Sequence, residues 1–439
     1  MQTKKVNICI KKALHCLDYD MEHISVIGRK ELRGNIDISG SKNSALPILA
    51  SSILSDKPQT FTNIPNLVDI NSMIALLKSL GVDYKINKKA YVLDARSISS
   101  VEAKYNLVSK MRASFLVLGP LLSREGRAKV SLPGGCAIGT RPVDLHIYAM
   151  KQLGAEIDIK DGYILAKSPK KGLIGNSINF SNISVGATEN ALMAAFYARG
   201  ETVIKNAAKE PEIIDLCESL IGMGAKISGV GTSNIFIQGV TGSSPNNHKV
   251  IADRIEACTY MIIAAITKSN LTIQNINPKF IRKFLKVMKD MGVIYKILNN
   301  RIEIFKGGGL KPVKIDTEEY PGFPTDMQAQ LLTMACLSDG VSEIRENIFE
   351  NRFMHVPELN RLGANIKIDG NKAIVQGNRS LVGAEVMATD LRASVSLVLA
   401  GLVAKGRTKI NRIYHLDRGY DNIEGKLKNS GALIERGYD

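Results

Sequence analysis

The sequence contains no tryptophan, and aromatic residues make up only 5% of its 439 residues. Hydrophobic residues nevertheless reach 45% and charged residues 23%, an ordinary balance for a globular protein. The core must therefore be built mainly from aliphatic side chains, and disorder is not expected. Since the chain is about three times a typical domain length, we expect either two lobes or one large repetitive fold.

Long apolar runs are also absent. The longest stretches, residues 260–266 and 395–404, are well short of the roughly 20 residues that a membrane-spanning helix requires. Residues 1–20 hold four lysines without a compact apolar core or a small-residue cleavage site, so a secretory signal is a poor match. A transit peptide is one interpretation of this segment. The other, which we adopt, is a dispensable N-terminal extension over residues 1–21.

The six cysteines include no pair at metal-ligand spacing and do not have the density of a disulfide scaffold. Their pattern favours a reducing cytoplasm. Cys217, Cys258 and Cys336 stand within apolar helical runs, where a buried and inert thiol is the expected role. Cys136 differs from them, because it stands in a glycine-rich loop.

The formal net charge of +16 is large enough to suggest nucleic-acid binding. The lysines are scattered, however, and neither an arginine-rich block nor a zinc knuckle accompanies them. A field that attracts small phosphorylated anions explains the charge equally well, so we predict neither a nucleic-acid nor a membrane partner. The phosphate loop GxxxxGK[ST] and a usable GxGxxG are missing too, which argues against nucleotide sites of those kinds.

An internal repeat organises the sequence. A helix that ends before a glycine and is followed by a strand occurs six times, at intervals of 68 to 73 residues. Glycine suits this position because a helix commonly ends on a residue in the left-handed conformation. The six glycines are Gly81, Gly154, Gly224, Gly292, Gly363 and Gly431.

Each copy of the repeat also contains an apolar helix upstream of its glycine. These helices are apolar on nearly every face, which predicts that they are buried inside a lobe. Six copies divide naturally into two α/β lobes of three copies, with a binding cleft between them. One turn of the repeat carries Cys136, Arg141, Glu210, Arg352 and Arg418, either because these groups converge on the cleft or because turns are simply polar.

Cys136 is the strongest single candidate for chemistry. It lies in the segment SLPGGCAIGTRPVDLH, with Arg141 five residues later. A thiol titrates at about pKa 8.5, and neighbouring cations lower that pKa, so this thiol can donate or accept a proton near neutral pH. Neither histidine nor aspartate stands beside it at the spacing of a nucleophile and its base, which argues against a cysteine protease.

Several cations stand at helix starts or turns. Guanidinium groups bind phosphate and carboxylate in bidentate fashion, so a small substrate that bears both groups, such as phosphoenolpyruvate, would use several of them. The candidates are Lys42, Arg112, Arg141, Arg352, Arg392 and Arg418. Asp326 and Asp390 occupy equivalent positions in copies five and six, where each is either a functional acid or a helix N-cap.

From Met21 onward the chain resembles the UDP-N-acetylglucosamine 1-carboxyvinyltransferases. The resemblance is carried by SKNSALPILA, LPGGCAIGTRPVDLH, NAAKEPEI, FPTDMQAQ, ENRFMHVPEL, ATDLRAS and YHLDRGY, in that order. It implies an α/β fold, a two-lobed inside-out α/β barrel with six internal repeats. The first lobe would span residues 42–251, and the second residues 22–41 with 252–439.

The resemblance also implies an activity. Members transfer the enolpyruvyl group of phosphoenolpyruvate to the 3-hydroxyl of UDP-N-acetylglucosamine and release phosphate, which is the first committed step of peptidoglycan synthesis. No metal and no organic cofactor is expected. Cys136 would protonate the methylene carbon of phosphoenolpyruvate, and Asp326 would take the proton of the sugar hydroxyl, with Lys42 and Arg418 completing the catalytic set.

The resemblance assigns two groups of binding residues. Those for phosphoenolpyruvate are Lys42, Asn43, Arg112, Arg141, Arg352, Arg392 and Arg418. Those for UDP-N-acetylglucosamine are Asn43, Arg112, Arg141, Pro142, Val143, Asp144, Leu145, Asn182, Ile183, Ser184, Val185, Asp326 and Ile348. Asn182 departs from the pattern, because many relatives carry lysine there, and this puts one nucleotide contact in doubt.

Two alternatives remain open. The sister enzymes that act on shikimate 3-phosphate share the fold and the donor but lack the cysteine loop, so GGCAIGTRPVDLH favours the nucleotide sugar. A basic nucleic-acid-binding module is the alternative from another class, and its affinity would fall steeply with salt. The sequence indicates neither an oligomeric state nor a regulatory protein partner.

Overall fold

A computed structural model describes residues 22–133, 143–378 and 380–438 of the chain. Within these ranges the strands form six separate four-stranded sheets, one for each copy of the repeat. The predicted α/β class and the six repeats are therefore confirmed. We number the sheets, each with its helices, as units one to six in the order of the six repeat glycines.

Every sheet has the same strand order. In unit two, strand Glu102–Ala103 pairs in parallel with Arg127–Ser131, which pairs antiparallel with Tyr163–Lys167. The fourth strand, Glu156–Lys160, pairs antiparallel with Tyr163–Lys167. The two parallel strands are joined by a helical crossover, as a parallel pair requires.

Within each sheet, neighbouring strands are hydrogen-bonded in the following order. The strands are Asn247–Lys249, Gln59–Thr62, Ala90–Asp94 and Asp83–Asn87 in unit one; Glu102–Ala103, Arg127–Ser131, Tyr163–Lys167 and Glu156–Lys160 in unit two; Ser177–Asn179, Glu201–Lys205, Asn234–Gln238 and Lys226–Ser228 in unit three; Arg33–Asp37, Asn270–Gln274, Arg301–Phe305 and Ile294–Leu298 in unit four; Lys314–Asp316, Val341–Arg345, Lys372–Gln376 and Asn365–Asp369 in unit five; and Glu385–Met387, Arg407–Asn411, Glu22–Ile27 and Leu433–Tyr438 in unit six.

In units two, three, five and six a central helix lies along the chain between the two parallel strands, whereas in units one and four the strand before the central helix belongs to the other unit's sheet. Each unit also has an outer helix before its repeat glycine. The central helices are Lys42–Ser51, Leu118–Glu125, Val185–Ala195, Arg254–Ile266, Gln328–Ala335 and Leu391–Val403. The outer helices are Val68–Ser79, Asp144–Gln152, Pro211–Gly222, Arg282–Asp290, Val356–Arg361 and Ile423–Asn429. Shorter helical pieces are the α-helix Tyr105–Val108 and the 3₁₀ helices Ser52–Leu54, Arg112–Val117, Pro278–Ile281, Thr325–Met327 and Ile413–Arg418.

The central helices are buried as their composition predicts. In Arg254–Ile266 every residue but Ala265 is buried, and Asp253 caps the helix by accepting hydrogen bonds from two backbone amides. The six repeat glycines that follow the outer helices all have positive φ, between 86° and 107°. This confirms that glycine is placed there to end the helix in the left-handed conformation.

The apolar side chains form two separate cores. One contains residues from Ala45 to Val250. The other contains residues from Ile24 to Ile38 and from Ile255 to Ile434. The lobe boundaries at residues 41/42 and 251/252 remain a prediction, and these two cores support it.

The three cysteines assigned to the cores are buried and unpaired. Burial raises the pKa of Cys217 and of Cys336 to about 12. Both thiols therefore stay protonated at neutral pH, which agrees with the inert role predicted for them. None of the helices in the described ranges is long and apolar enough to cross a membrane.

Two adjacent segments, residues 38–42 and 250–254, connect the two cores. They run antiparallel, with Gly40 facing Ala252, and hydrogen bonds join Ser41 N to Ile251 O at 2.7 Å and Asp253 N to Ser39 O at 2.8 Å. Gly40 admits no side chain, since a Cβ would lie 1.6 Å from the carbonyl oxygen of Asn63. The pair of connections ends directly at two helix N-termini, Lys42–Ser51 and Arg254–Ile266.

Candidate active site

Lys42 is the first residue of the unit-one central helix, immediately after the connection between the cores. Ser41 caps this helix by accepting a hydrogen bond from Ser44 N at 3.4 Å. The backbone amide of Lys42 also donates to Asp253 Oδ2 at 3.4 Å. The position of this lysine is therefore determined by residues of both cores.

The Lys42 ammonium and the Arg418 guanidinium share one carboxylate, that of Asp69. Lys42 Nζ lies 3.2 Å from Asp69 Oδ2, and Arg418 Nε lies 2.8 Å from Asp69 Oδ1. Asp69 belongs to the first turn of the outer helix of unit one, whereas Arg418 ends the 3₁₀ helix of unit six. One carboxylate thus joins the two cationic side chains across the two cores.

A second carboxylate, that of Asp326, is held by two arginines. Arg352 donates to Asp326 Oδ1 at 2.6 Å and Arg392 donates to Asp326 Oδ2 at 3.0 Å. Asp326 lies in the 3₁₀ helix before the central helix of unit five, and Arg392 is the second residue of the central helix of unit six. Two neighbouring units therefore supply this cluster.

The two clusters are exposed in opposite ways. The Asp69 side chain is 3% exposed, while those of its cations are 11% exposed in Lys42 and 32% in Arg418. In the other cluster the acid is the accessible group, because the Asp326 side chain is 28% exposed and its arginines are only 4–5% exposed. The site therefore offers cations from one cluster and a carboxylate from the other.

Electrostatic effects show that the two clusters lie close together. Burial lowers the pKa of Lys42, Asp69 raises it, and Arg392 and Arg418 lower it further, with Asp326 acting in the opposite direction. Lys42 therefore feels charges from units one, five and six. For Asp326, burial alone would raise the pKa, but Arg392 and Arg352 outweigh burial and hold that pKa well below its usual range.

The two equivalent acids, Asp326 and Asp390, have different roles. The Asp390 side chain caps the unit-six central helix by accepting hydrogen bonds from Arg392 N at 2.8 Å and Ala393 N at 3.1 Å. No such cap is made by Asp326, since its carboxylate binds the two arginine side chains instead. The N-cap interpretation is therefore correct for Asp390, and Asp326 stays the candidate functional acid.

Some of the residues predicted to bind the nucleotide sugar lie in elements that meet near His146 in the first core. His146 Nδ1 lies 2.9 Å from Asn190 Nδ2, and its ring packs edge-on against Phe115 at 5.1 Å between centroids. A Cβ on Gly186 would lie 3.1 Å from His146 Cε1, so the N-terminus of helix Val185–Ala195 approaches this ring closely. Burial and the charge of Arg112 lower the pKa of His146 to about 3, so the ring is neutral.

This arrangement brings Arg112, at the start of a 3₁₀ helix, near the start of the unit-two outer helix, where Val143, Asp144 and Leu145 stand. Ser184 caps the neighbouring helix by accepting a hydrogen bond from Ala187 N at 3.3 Å. Asn182 and Ile183 directly precede Ser184, and Asn182 is exposed whereas Ile183 is partly buried.

Asn43 and Ile348 belong to other elements than the residues next to His146. Asn43 is partly buried beside Lys42, and the backbone amide of Ile348 donates to Glu346 Oε1 at 2.9 Å. Cys136, Arg141 and Pro142 lie outside the described residues.

Sequence reasoning missed two residues near the site. Asp69 stands in the segment LVDINSM, outside every motif that carries the family resemblance, and its only signal was an acid in the first turn of an amphipathic helix. Arg254 lies buried beside Glu212, with its Nε 3.0 Å from Glu212 Oε1, and its guanidinium faces the Tyr320 ring at 5.5 Å. Asp326 is among the groups that raise the pKa of Arg254, which places this arginine near the second cluster.

The chain is similar to known proteins over nearly its whole length. The model of the EPSP synthase family, described as 3-phosphoshikimate 1-carboxyvinyltransferase, matches residues 26–427. A UDP-N-acetylglucosamine 1-carboxyvinyltransferase of Sulfurovum sp. is 52% identical over 95% of this chain and 99% of that protein. The protein of the same description from Campylobacter hominis is 51% identical over 95% of this chain and 99% of its own length.

Solved structures agree on the fold. The enolpyruvyl transferase NikO from Streptomyces tendae superposes with a TM-score of 0.86 at 23% identity, over 96% of this chain and all of that one. An EPSP synthase from Acinetobacter baumannii superposes with a TM-score of 0.73 at 17% identity, over 95% of this chain. Fold and sequence together lead to one conclusion: the chain belongs to the UDP-N-acetylglucosamine 1-carboxyvinyltransferase family of enolpyruvyl transferases.

Proposed function

We propose that this protein transfers the enolpyruvyl group of phosphoenolpyruvate to the 3-hydroxyl of UDP-N-acetylglucosamine and releases phosphate. The observation that carries the proposal is the meeting of two charged clusters, Lys42, Asp69 and Arg418 with Asp326, Arg352 and Arg392, contributed by both cores. The first cluster offers two cations to a phosphate or carboxylate. The second offers an ionised carboxylate to a hydroxyl group.

The first chemical step is an addition. The sugar hydroxyl oxygen forms a bond to C2 of phosphoenolpyruvate, and its proton passes to Asp326, which two arginines hold ionised and in place. At the same time the methylene carbon takes a proton from the Cys136 thiol and becomes a methyl group. The product is a tetrahedral ketal that carries both the sugar and the phosphate.

The second step is an elimination. The methyl group returns one proton to the Cys136 thiolate, the double bond re-forms, and the bond from C2 to the phosphate oxygen breaks with its electron pair on phosphate. Negative charge grows on that oxygen as it leaves. Lys42 and Arg418 would stabilise this charge as preorganised cations, and the family resemblance adds Arg112 and Arg141 to them.

The acceptor side of the site is proposed on the residues around His146. Arg112, Val143 to Leu145, Ser184 and Val185 would bind the uridine nucleotide, together with Arg141 and Pro142. Asn43 and Ile348 would complete the sugar site. Asn182, exposed where many relatives carry lysine, would contact the nucleotide more weakly than an ammonium group.

The proposed reaction also implies a metabolic role and a cellular compartment. The reaction would be the first committed step of peptidoglycan synthesis, in the cytoplasm and without a metal or organic cofactor. Three buried, unpaired cysteines support a reducing compartment. The two substrates are the proposed small-molecule partners.

A phosphate-release assay with two acceptors in parallel tests the proposal. Phosphoenolpyruvate with UDP-N-acetylglucosamine should release phosphate, and phosphoenolpyruvate with shikimate 3-phosphate should not. The control omits the acceptor and measures slow hydrolysis of the donor. Release with shikimate 3-phosphate alone would assign the chain to the sister activity and would overturn the proposal.

A further inference from the structure

Asp69 is a buried acid that none of the sequence motifs contains. It lies in the first turn of helix Val68–Ser79, and its side chain is 3% exposed. Its two oxygens contact Lys42 Nζ at 3.2 Å and Arg418 Nε at 2.8 Å, with a longer contact to the second guanidinium nitrogen at 3.5 Å. An acid that only stabilises a helix N-terminus needs neither burial nor cationic partners. Asp69 has both, and its two partners come from different cores.

The segment around Asp69 is held against the other core by a second contact. The backbone amide of Asn66 donates to Asp421 Oδ2 at 3.0 Å, three residues after Arg418. The start of the unit-one outer helix is therefore fixed to unit six at two points. This geometry allows Asp69 to set the distance and direction between Lys42 and Arg418.

Both cations are more accessible than the acid that joins them. The Lys42 and Arg418 side chains are 11% and 32% exposed. A ligand in the cleft therefore meets the cations, while Asp69 contacts them from the interior.

We propose that Asp69 is a positioning residue of the donor site, which holds Lys42 and Arg418 from their buried side so that both face one anionic group. This inference rests on the proposed function, since it takes the donor's phosphate and carboxylate as that group. Asp69 itself touches neither substrate. It also balances charge, because Lys42, Arg418 and Arg392 would otherwise repel one another in a buried site.

The charge balance has a consequence for pH. Burial lowers the pKa of Lys42, and so do Arg392 and Arg418, while Asp69 and Asp326 raise it; Asp253 accepts a hydrogen bond from the Lys42 backbone amide. If Asp69 loses its charge, the pKa of Lys42 must fall further. The ammonium then deprotonates at lower pH, and the alkaline limit of donor binding moves down.

The test compares Asp69→Asn and Asp69→Glu with the wild type. For the Asn variant we expect a kcat/KM for phosphoenolpyruvate about tenfold to a hundredfold lower, as for the loss of a hydrogen bond to a charged group. Its alkaline limit should fall by about one pH unit or more. The Glu variant should keep the wild-type limit, because it keeps the charge. The matched control is Asp94→Asn, which removes an acid of the same unit that pairs with Arg96 at 2.6 Å.

A second comparison, made in a Lys42→Arg variant, separates the effect of the Asp69 charge from a loss of structure. In Lys42→Arg protein, Asp69→Asn should leave the alkaline limit unchanged, because a guanidinium group does not deprotonate in this range. Calorimetric binding of phosphoenolpyruvate across the same pH series gives a readout that needs no turnover. An alkaline limit equal to that of the wild type in Asp69→Asn would overturn the inference.

Failure of the proposed function gives a different result. In that case the wild type would release no phosphate with UDP-N-acetylglucosamine. The pH dependence of phosphoenolpyruvate binding would still test the role of Asp69. A wild type that binds phosphoenolpyruvate with the same pH limit as Asp69→Asn would sink the positioning role alone. A wild type that does not bind phosphoenolpyruvate would sink both.

Discussion

At the residue scale, the two carboxylates of the site make the same kind of interaction, an ion pair with two cations, but differ in their exposure. Asp69 and Asp326 each bind two cations, yet Asp69 lies behind its cations and Asp326 lies in front of its own. A carboxylate in front can reach a substrate hydroxyl. A carboxylate that lies behind its cations can only orient those cations toward the substrate.

Replacing Asp326 by Asn should reduce kcat by about 10²- to 10⁴-fold, the usual range for loss of a general base. Because the guanidinium groups of Arg392 and Arg352 outweigh burial and hold the pKa of this carboxyl well below its usual range, Asp326 is ionised at any working pH. The acid limb of the wild-type rate profile should therefore persist in the variant. Steady-state kinetics over a pH series measure both effects.

The Asp326 variant needs a matched acid as its control. Asp316 lies in the same unit and is 4.0 Å from Arg345 on the surface, so Asp316→Asn should retain wild-type kinetics. An Asp326→Asn enzyme as fast as this control would remove Asp326 from the mechanism.

Replacing Cys136 by Ser should nearly abolish turnover, because a hydroxyl is a far weaker proton donor than a thiol near neutral pH. An epoxide mimic of phosphoenolpyruvate should alkylate Cys136, and peptide mass spectrometry would locate the adduct. Cys136→Asp should remain active and escape the epoxide, since a carboxyl group can donate a proton but is not a thiol nucleophile. A fully active Cys136→Ser enzyme would refute the proton-donor role.

At the element scale, the start of each central helix decides which side chains reach the site. Asp390 keeps the unit-six helix in register by capping it, and two residues later Arg392 contacts Asp326. Lys42 is the first residue of the unit-one helix, directly after its N-cap Ser41. Helix N-termini thus bring three units to one place.

Asp390→Ala should lower the free energy of unfolding by about 1 kcal/mol, the usual cost of losing an N-cap. Asp390→Asn should cost little, because an asparagine side chain accepts the same hydrogen bonds from Arg392 N and Ala393 N. Urea denaturation of the three proteins measures the difference. Equal losses in the Ala and Asn variants would show that the carboxylate charge, and not the cap, provides the stability.

At the scale of the whole molecule, the connection between the cores is held by a buried ion pair. Lys426 Nζ lies 2.6 Å from Glu256 Oε1 and 2.7 Å from Ser39 Oγ. The other oxygen of Glu256 accepts a hydrogen bond from Ser39 N at 2.8 Å. Glu256 therefore anchors the connecting segment three residues before Lys42.

The stability of this connection should depend on pH. Burial raises the pKa of Glu256 from 4.5 to about 7, although Lys426 opposes the shift. A carboxyl group with a raised pKa in the folded state stabilises the fold at low pH and loses that contribution as pH rises to the folded value. The wild type should therefore lose stability relative to Glu256→Gln between pH 4.5 and about pH 7.

Above that range the difference between the two proteins should be constant. Thermal unfolding in buffers of equal ionic strength, over acid to neutral pH, measures it. Parallel curves for wild type and Glu256→Gln through the whole range would contradict the raised pKa.

Much of the architecture was predictable because it repeats. The six glycines and the six all-apolar helices each carry a local physical signature, and repetition made every signature visible several times. That cations would gather was predictable as well, since Lys42, Arg352, Arg392 and Arg418 stand at recurring helix starts and turns. The roles of Asp326 and Asp390 could not be separated in this way, because both have the sequence of an N-cap.

What the sequence determined by itself is therefore local: where helices end, which helices must be buried, and which residues carry charge at the ends of units. Only the tertiary structure decided which charges share a partner, because Asp69 pairs with Lys42 within unit one and reaches Arg418, 349 residues away, only when the two cores pack together. It also decided which member of each cluster is accessible. Accessibility depends on what covers a side chain, and the residues that cover it come from other units.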